Sequence, residues 1–145
     1  IDIDPSSMKK SDYYIEYTST NGAIVMPNGS FDATIVGNFY ENGIGKLYFD
    51  APVISIVGYA FDGYTSLASV TIPDSVTKIG GKAFNGCTSL KEIYCKSTTP
   101  PTGSTSMFNN NALDRKIYVP SNSVDAYKSA QYWSNYADYI EGHDF

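Results

Sequence analysis

The chain has 145 residues, of which 42% are hydrophobic and only 17% charged, with 13 tyrosines and 12 glycines. That balance gives one compact domain a core, favours β-structure and turns, and excludes disorder, which needs low hydrophobicity and high net charge. The net charge of −5 comes with scattered cations, whose only pairs are Lys9-Lys10 and Arg115-Lys116, so nucleic acid is excluded as a partner, and no apolar run is long enough to span a bilayer.

The start, Ile1-Asp2-Ile3-Asp4-Pro5, reads like a trimmed end of the kind left when an export signal is removed. Residues 1–12 are polar and are expected to be loose. Asp2-Ile3-Asp4 offers oxygens to a calcium ion, but an EF-hand-type loop needs more ligands than this. From Tyr13 to Val25 the chain reads as a hairpin. Tyr13, Ile15 and Tyr17 alternate with other residues, and Asn21-Gly22 offers a tight turn. A second hairpin is expected from about Thr34 to Phe49 around Asn42-Gly43. Residues 13–45 then form a β-cap over the N-terminal end of the core.

A repeat follows. The run Ile56-Val57-Gly58-Tyr59-Ala60-Phe61-Asp62-Gly63-Tyr64-Thr65-Ser66-Leu67 recurs as Ile79-Gly80-Gly81-Lys82-Ala83-Phe84-Asn85-Gly86-Cys87-Thr88-Ser89-Leu90, offset by 23 residues. A degraded third copy gives Met107-Phe108, shifted by 24, and Ala112-Leu113, shifted by 23. Four short apolar strands keep the same spacing: 47–49, 70–72, 93–95 and 117–119. Pro52, Pro73 and Pro120 trail three of them, as suits a strand exit. Each unit is one strand plus a return path, so the strands are expected to stack as a parallel ladder. Val53, Ile56, Phe61, Leu67, Val70 and Ile72 should point inward. One such coil buries too little to offset the entropy of ordering it and needs neighbours and caps. Gly58, Gly63, Gly81 and Gly86 are placed at corners where tight turning or positive φ is expected. The Thr65-Ser66 and Thr88-Ser89 hydroxyls should bond nearby backbone.

The run Ile72-Pro73-Asp74-Ser75-Val76-Thr77-Lys78-Ile79-Gly80, followed by Ala83-Phe84-Asn85-Gly86-Cys87-Thr88-Ser89-Leu90, closely resembles the BspA-like leucine-rich repeat, a family named for a Bacteroides surface protein. The resemblance is strong over 53–95 and degenerate over 96–140. Phe39-Tyr40-Glu41-Asn42-Gly43 looks like that family's lead-in hairpin. Ile117-Tyr118-Val119-Pro120, with Val124-Asp125-Ala126-Tyr127-Lys128 and Trp133, looks like its closing segment. The resemblance implies a secreted or surface-exposed protein of an anaerobic gut-type bacterium, extracellular or held as an outer-membrane lipoprotein. It implies adhesion or protein binding, no cofactor and no catalytic residues to carry over. Membrane association would come only through a removed or absent anchor. Such proteins often have more repeats, so a large concave binding surface does not follow here.

The expected fold is mainly β with a short helix: a leucine-rich-repeat solenoid of about 3–4 coils. It forms a single domain over 1–145, with a tail and β-hairpin cap (1–45), repeats (46–120) and a helical C-terminal cap (121–145). In that last cap, Ser121-Asn122-Ser123 supplies an N-cap for a helix running to about Ala130. Val124 and Tyr127 share its inner face, and Trp133, Tyr136 and Ile140 add apolar contacts that plug the last coil.

Chemistry-bearing motifs are few. His143 is the single histidine, two residues from the end, and reads as an exposed tail residue, not part of a triad or metal site. No nucleophile elbow, metalloprotease helix or phosphate loop occurs, so an enzyme is not expected. Cys87 and Cys95 read as buried apolar fillers, with a disulfide or a reactive thiol as the other options. Strand alternation puts Tyr48, Thr71, Tyr94 and Tyr118 outward in one row, flanked by Lys46, Ser69, Glu92 and Lys116. An aromatic row on a rigid sheet is a platform for a protein loop or a sugar ring. Tyrosine's preference for exposed strands explains the same row without a ligand. The expected partner is a host or bacterial surface protein. A glycan-binding accessory role in polysaccharide capture and a structural end-piece of a larger surface protein are the alternatives.

Overall fold

A computed structural model describes residues 4–145. Asp2 and Ile3 of the considered calcium ligands lie outside the described residues. Asp4 accepts a hydrogen bond from Ser6 N at 3.1 Å and caps a 3₁₀ turn over Pro5–Ser7. The expectation of a loose start fails beyond that point. Lys9 N donates to Val36 O at 2.9 Å, and Lys10 pairs with Glu41 at 2.7 Å.

The strands are β1 (Tyr13–Ser19), β2 (Ile35–Glu41), β3 (Ile44–Phe49), β4 (Ser55–Ile56), β5 (Leu67–Ile72), β6 (Lys78–Ile79), β7 (Glu92–Cys95), β8 (Lys116–Pro120) and β9 (Ile140–His143). Among the described residues a single α-helix, α1 (Val124–Ser129), is followed by 3₁₀ structure over Trp133–Tyr139. The fold is mainly β with a few short helices, of the leucine-rich-repeat type. Seven strands form one sheet in the order β2-β3-β1-β5-β7-β8-β9, and β4 pairs in parallel with β6 in a second, two-stranded sheet. Among the described residues no helix is long and apolar enough to cross a membrane.

The β2–β3 hairpin forms as the sequence indicates, with Asn42 and Gly43 at φ 53° and 79° in its two-residue turn. The expected 13–25 hairpin does not form. Strand β1 instead inserts between β3 and β5, antiparallel to both. Its return segment is held by a buried polar network. The Tyr17 hydroxyl donates to Asn38 Oδ1 at 2.6 Å and accepts from Val25 N at 3.0 Å, while Asn38 Nδ2 donates to Val25 O at 2.9 Å. Val25's backbone groups are thereby satisfied without a strand partner. Strands β1 and β2 of the 13–45 segment, with β3, join the sheet of the repeat strands.

Strands β5, β7 and β8 stack in parallel and in register, with Val70, Ile93 and Ile117 side by side and buried. Leu47 also lines that interior, but Ile15 and Tyr17 of β1 stand between it and Val70. All six residues expected inward from the 53–72 unit are buried.

A second ladder joins the phenylalanines of successive coils. Phe61, Phe84 and Phe108 are stacked, with ring centroids 5.1 and 5.5 Å apart. Backbone bonds tie the coils there: Phe61 N to Ala83 O at 2.7 Å and Phe84 N to Met107 O at 2.9 Å. Trp133 and Tyr136 close the stack on Phe108, and the Trp133 indole donates to Pro101 O at 2.7 Å.

Corner details differ from expectation. Gly63 and Gly86 do have φ of +74°, but Gly58 and Gly81 do not; the next residues, Tyr59 and Lys82, take the left-handed conformation at φ 62° and 56°. No side-chain hydrogen bond from Thr65, Ser66, Thr88 or Ser89 occurs among the described residues. Leu67 N to Tyr64 O (3.2 Å) and Leu90 N to Cys87 O (3.0 Å) hold those turns. In the third coil Leu113 is 94% exposed, because the 24-residue offset persists from Phe108 to Ile117. Two residues further on, Arg115 is buried with its guanidinium 4.0 Å from the Tyr139 ring centroid.

At the C-terminal end Ser123 precedes α1 without capping it; its hydroxyl donates to Thr98 O at 2.8 Å. Tyr127, Trp133, Tyr136 and Ile140 are buried as expected. The segment 121–145 is not wholly helical, because β9 pairs in parallel with β8.

Burial raises the hydroxyl pKa of Tyr17, Tyr64, Tyr127 and Tyr136. The folded state therefore keeps protons that the unfolded chain gives up near pH 10. Stability should be intact below about pH 10 and should fall as pH rises above it. Urea midpoints on either side of that pH measure this, and a midpoint that stays flat would contradict it.

Candidate functional site

The outer face of the seven-stranded sheet carries the predicted surface residues, in a changed arrangement. Strand β1 breaks the row between Tyr48 and Thr71. Register now gives Tyr48 beside Tyr14, and Glu16 beside Thr71, Tyr94 and Tyr118 in turn. Tyr48 is only 7% exposed, covered by Tyr14 and Phe39 at ring distances of 5.6 and 6.0 Å. It is a packing residue of the face and not a free contact. In the flanking row Ser69, Glu92 and Lys116 are neighbours, while Lys46 lies across β1, opposite Glu16.

Tyr94 and Tyr118 do stack, with centroids 5.0 Å apart and planes 19° from parallel. The Tyr94 hydroxyl donates to Glu92 Oε2 at 3.1 Å. Burial, then this hydrogen bond and the Glu92 charge, push its pKa up to about 12. Lys116 pairs with Glu141 at 2.9 Å, and Ser69 Oγ lies 2.6 Å from Thr18 Oγ1.

Sequence reasoning missed half of the aromatic cluster. His143 is not a free tail residue. As part of β9 it is half-buried, 5.5 Å from Tyr94 and 5.6 Å from Tyr118. Phe145 packs on it at 4.6 Å. The available signal was the apolar Ile140, three residues before His143, which strand alternation sets on the opposite face.

Beside this cluster runs an open groove of about 630 Å³ across β1, β5 and β7. Tyr13, Tyr14, Tyr94, His143 and Phe145 supply its rings, and Asp12, Glu16 and Asp74 its carboxylates. Among the described residues, Lys96 is the single lysine or arginine along it. A smaller depression of about 290 Å³ lies over the β2–β3 hairpin, between Lys10, Glu41 and Tyr48.

The repeat architecture is matched by a family model. The model described as the BspA type leucine rich repeat region (6 copies) matches residues 36–138. This chain belongs to that family. No curated protein matches it. Within the BspA-type repeat, the slot held by Tyr64, Cys87 and Asn111 has a shared task. Each side chain donates to a carbonyl of the preceding layer: Tyr64 to Met26 O, Cys87 to Phe61 O at 3.0 Å and Asn111 to Phe84 O at 2.8 Å. Cys87 is thus a donor as well as a filler. Both cysteines are free and buried. Burial pushes the Cys87 thiol up to about 12 and raises Cys95 too, which disfavours the reactive thiolate in both.

Proposed function

We propose that this protein is a short, capped leucine-rich-repeat solenoid that works at the cell surface or outside the cell as a protein-binding adhesion module. It carries out no catalysis. The observation behind this reading is the groove: aromatic side chains on a sheet whose strands are locked by ladder hydrogen bonds. Rigid aromatic anchors lose little entropy on binding and dominate contact energetics at protein interfaces. Membership of the repeat family supports an interaction role.

A glycan platform is less well served by this geometry. Stacking leaves Tyr94 and Tyr118 one open face each at most, a smaller platform than two side-by-side rings would offer a sugar.

The test sets the chain against a panel of extracellular-matrix and bacterial surface proteins, beside a glycan array. Saturable binding to a protein is expected. Replacing Tyr94 and Tyr118 together by serine should weaken it at least roughly thirtyfold. Binding that survives the double substitution moves the site off this face. A positive glycan array with a silent protein panel supports polysaccharide capture, and silence in both supports a structural end-piece. Antibody labelling of intact cells checks the location.

A further inference from the structure

We propose that the groove recognises a basic segment of a partner protein, with an arginine guanidinium lying over Thr71 between the Tyr94 ring and the Glu16 carboxylate. The inference rests on the protein-binding reading above and names the partner's chemistry.

Register carries the geometry. Glu16, Thr71 and Tyr94 are consecutive neighbours across β1, β5 and β7. Strands stand about 4.8 Å apart, so Glu16 and Tyr94 flank a gap of about 10 Å over the small Thr71 side chain. Tyr118 is the ring stacked on Tyr94, while His143 and Phe145 meet it edge-on. The Tyr94 face turned toward Thr71 therefore borders the groove.

Charge then selects the occupant. Lys46 is opposite Glu16 in register, yet its ammonium sits over the Tyr14 ring at 4.6 Å. Glu16 has no ion-pair partner among the described residues. Asp12 and Asp74 border the same groove, and Lys96 is the opposing cation. Three carboxylates against one ammonium repel an anionic ligand and attract a cationic one.

A guanidinium fits this slot better than an ammonium. It is planar, stacks on an aromatic face and offers parallel donors to a carboxylate. The same contact already occurs within this chain, where the Arg115 guanidinium lies 4.0 Å from the Tyr139 ring centroid.

The experiment follows backbone NMR signals of the full chain during titration with three blocked pentapeptides, Gly-Gly-Xaa-Gly-Gly, where Xaa is arginine, citrulline or glutamate. A maltooligosaccharide provides a fourth arm. The arginine peptide should move the signals of Glu16, Thr71 and Tyr94. Citrulline, with the same shape and no charge, should bind at least about fivefold more weakly. Glu16→Gln should cost the arginine peptide about three- to fivefold and leave the citrulline peptide unchanged. Equal binding of arginine and citrulline overturns the cation inference and leaves the groove as a protein site. Stronger shifts from the sugar overturn it in favour of a glycan, and shifts that map elsewhere overturn it outright. If no peptide binds while protein capture still depends on Tyr94 and Tyr118, the arginine inference alone falls. If both assays are silent, the two readings fall together.

Discussion

Phe84→Ala should destabilise the fold by about 3–5 kcal/mol, with a drop in melting temperature of roughly 10–16 °C. Phe84 is fully buried and is the middle ring of the three-ring stack. Truncation removes its transfer free energy and two aromatic contacts at once. The surroundings cannot collapse into the space. Backbone bonds from Phe61 N to Ala83 O and from Phe84 N to Met107 O hold the coils at fixed spacing on both sides. A cavity that cannot close sits at the costly end of the large-to-small range. Phe84→Leu refills most of the volume and should recover more than half of the loss. Chemical denaturation of both variants measures this. A loss under about 1.5 kcal/mol for alanine would show that the ring stack does not hold the coils together.

The sequence carries the period of this stack, though not the ring contacts themselves, because each coil meets the same interior problem. Phe61 and Phe84 are 23 residues apart, and the strand triplets keep nearly the same spacing. A repeat records non-local contacts as a local period, so register between β5, β7 and β8 could be read directly. The same logic failed where the period stopped. Alternation at Tyr13, Ile15 and Tyr17 gave a strand, but nothing local says that its partners are β3 and β5. The polar pair Tyr17 and Asn38, which holds the return segment, is 21 residues apart with no repeat to mark it.

The candidate site was half legible for related reasons. Tyr94 and Tyr118 fell in one row because they lie in repeat strands. His143 and Phe145 did not, because Ile140-Glu141-Gly142-His143 has weak strand character on its own. It becomes a strand because β8 would otherwise leave an unpaired edge. At Leu113 the period misleads in the opposite way: it matches Leu90 by a 23-residue shift, yet it is solvent-exposed because the coil has gained a residue.

The adjacent residues Gly80 and Gly81 look interchangeable in the sequence, and their alanine variants should move stability in opposite directions. A Cβ on Gly80 would press against Gly58 N and lie 2.7 Å from Gly58 Cα and 2.9 Å from the Val57 carbonyl carbon. These are backbone atoms of the preceding coil, so no rotamer change relieves the clash. Gly80 N also donates to Ile56 O at 2.8 Å, and separating the coils strains that bond. The equivalent position one coil earlier holds Val57, which is tolerated because the chain's N-terminal segment, and not another complete coil, lies beside it. Gly80→Ala should therefore cost about 3 kcal/mol, at the upper end of overpacking. At Gly81 a Cβ would meet nothing nearer than Ser104 Oγ at 3.4 Å, and φ is not in the left-handed region. Gly81→Ala should stabilise by about 0.4–1 kcal/mol, because it restricts the unfolded chain without straining the folded one. Urea midpoints of the two variants decide the matter. Equal and small effects would mean that direct backbone contact at this corner does not set the spacing between coils.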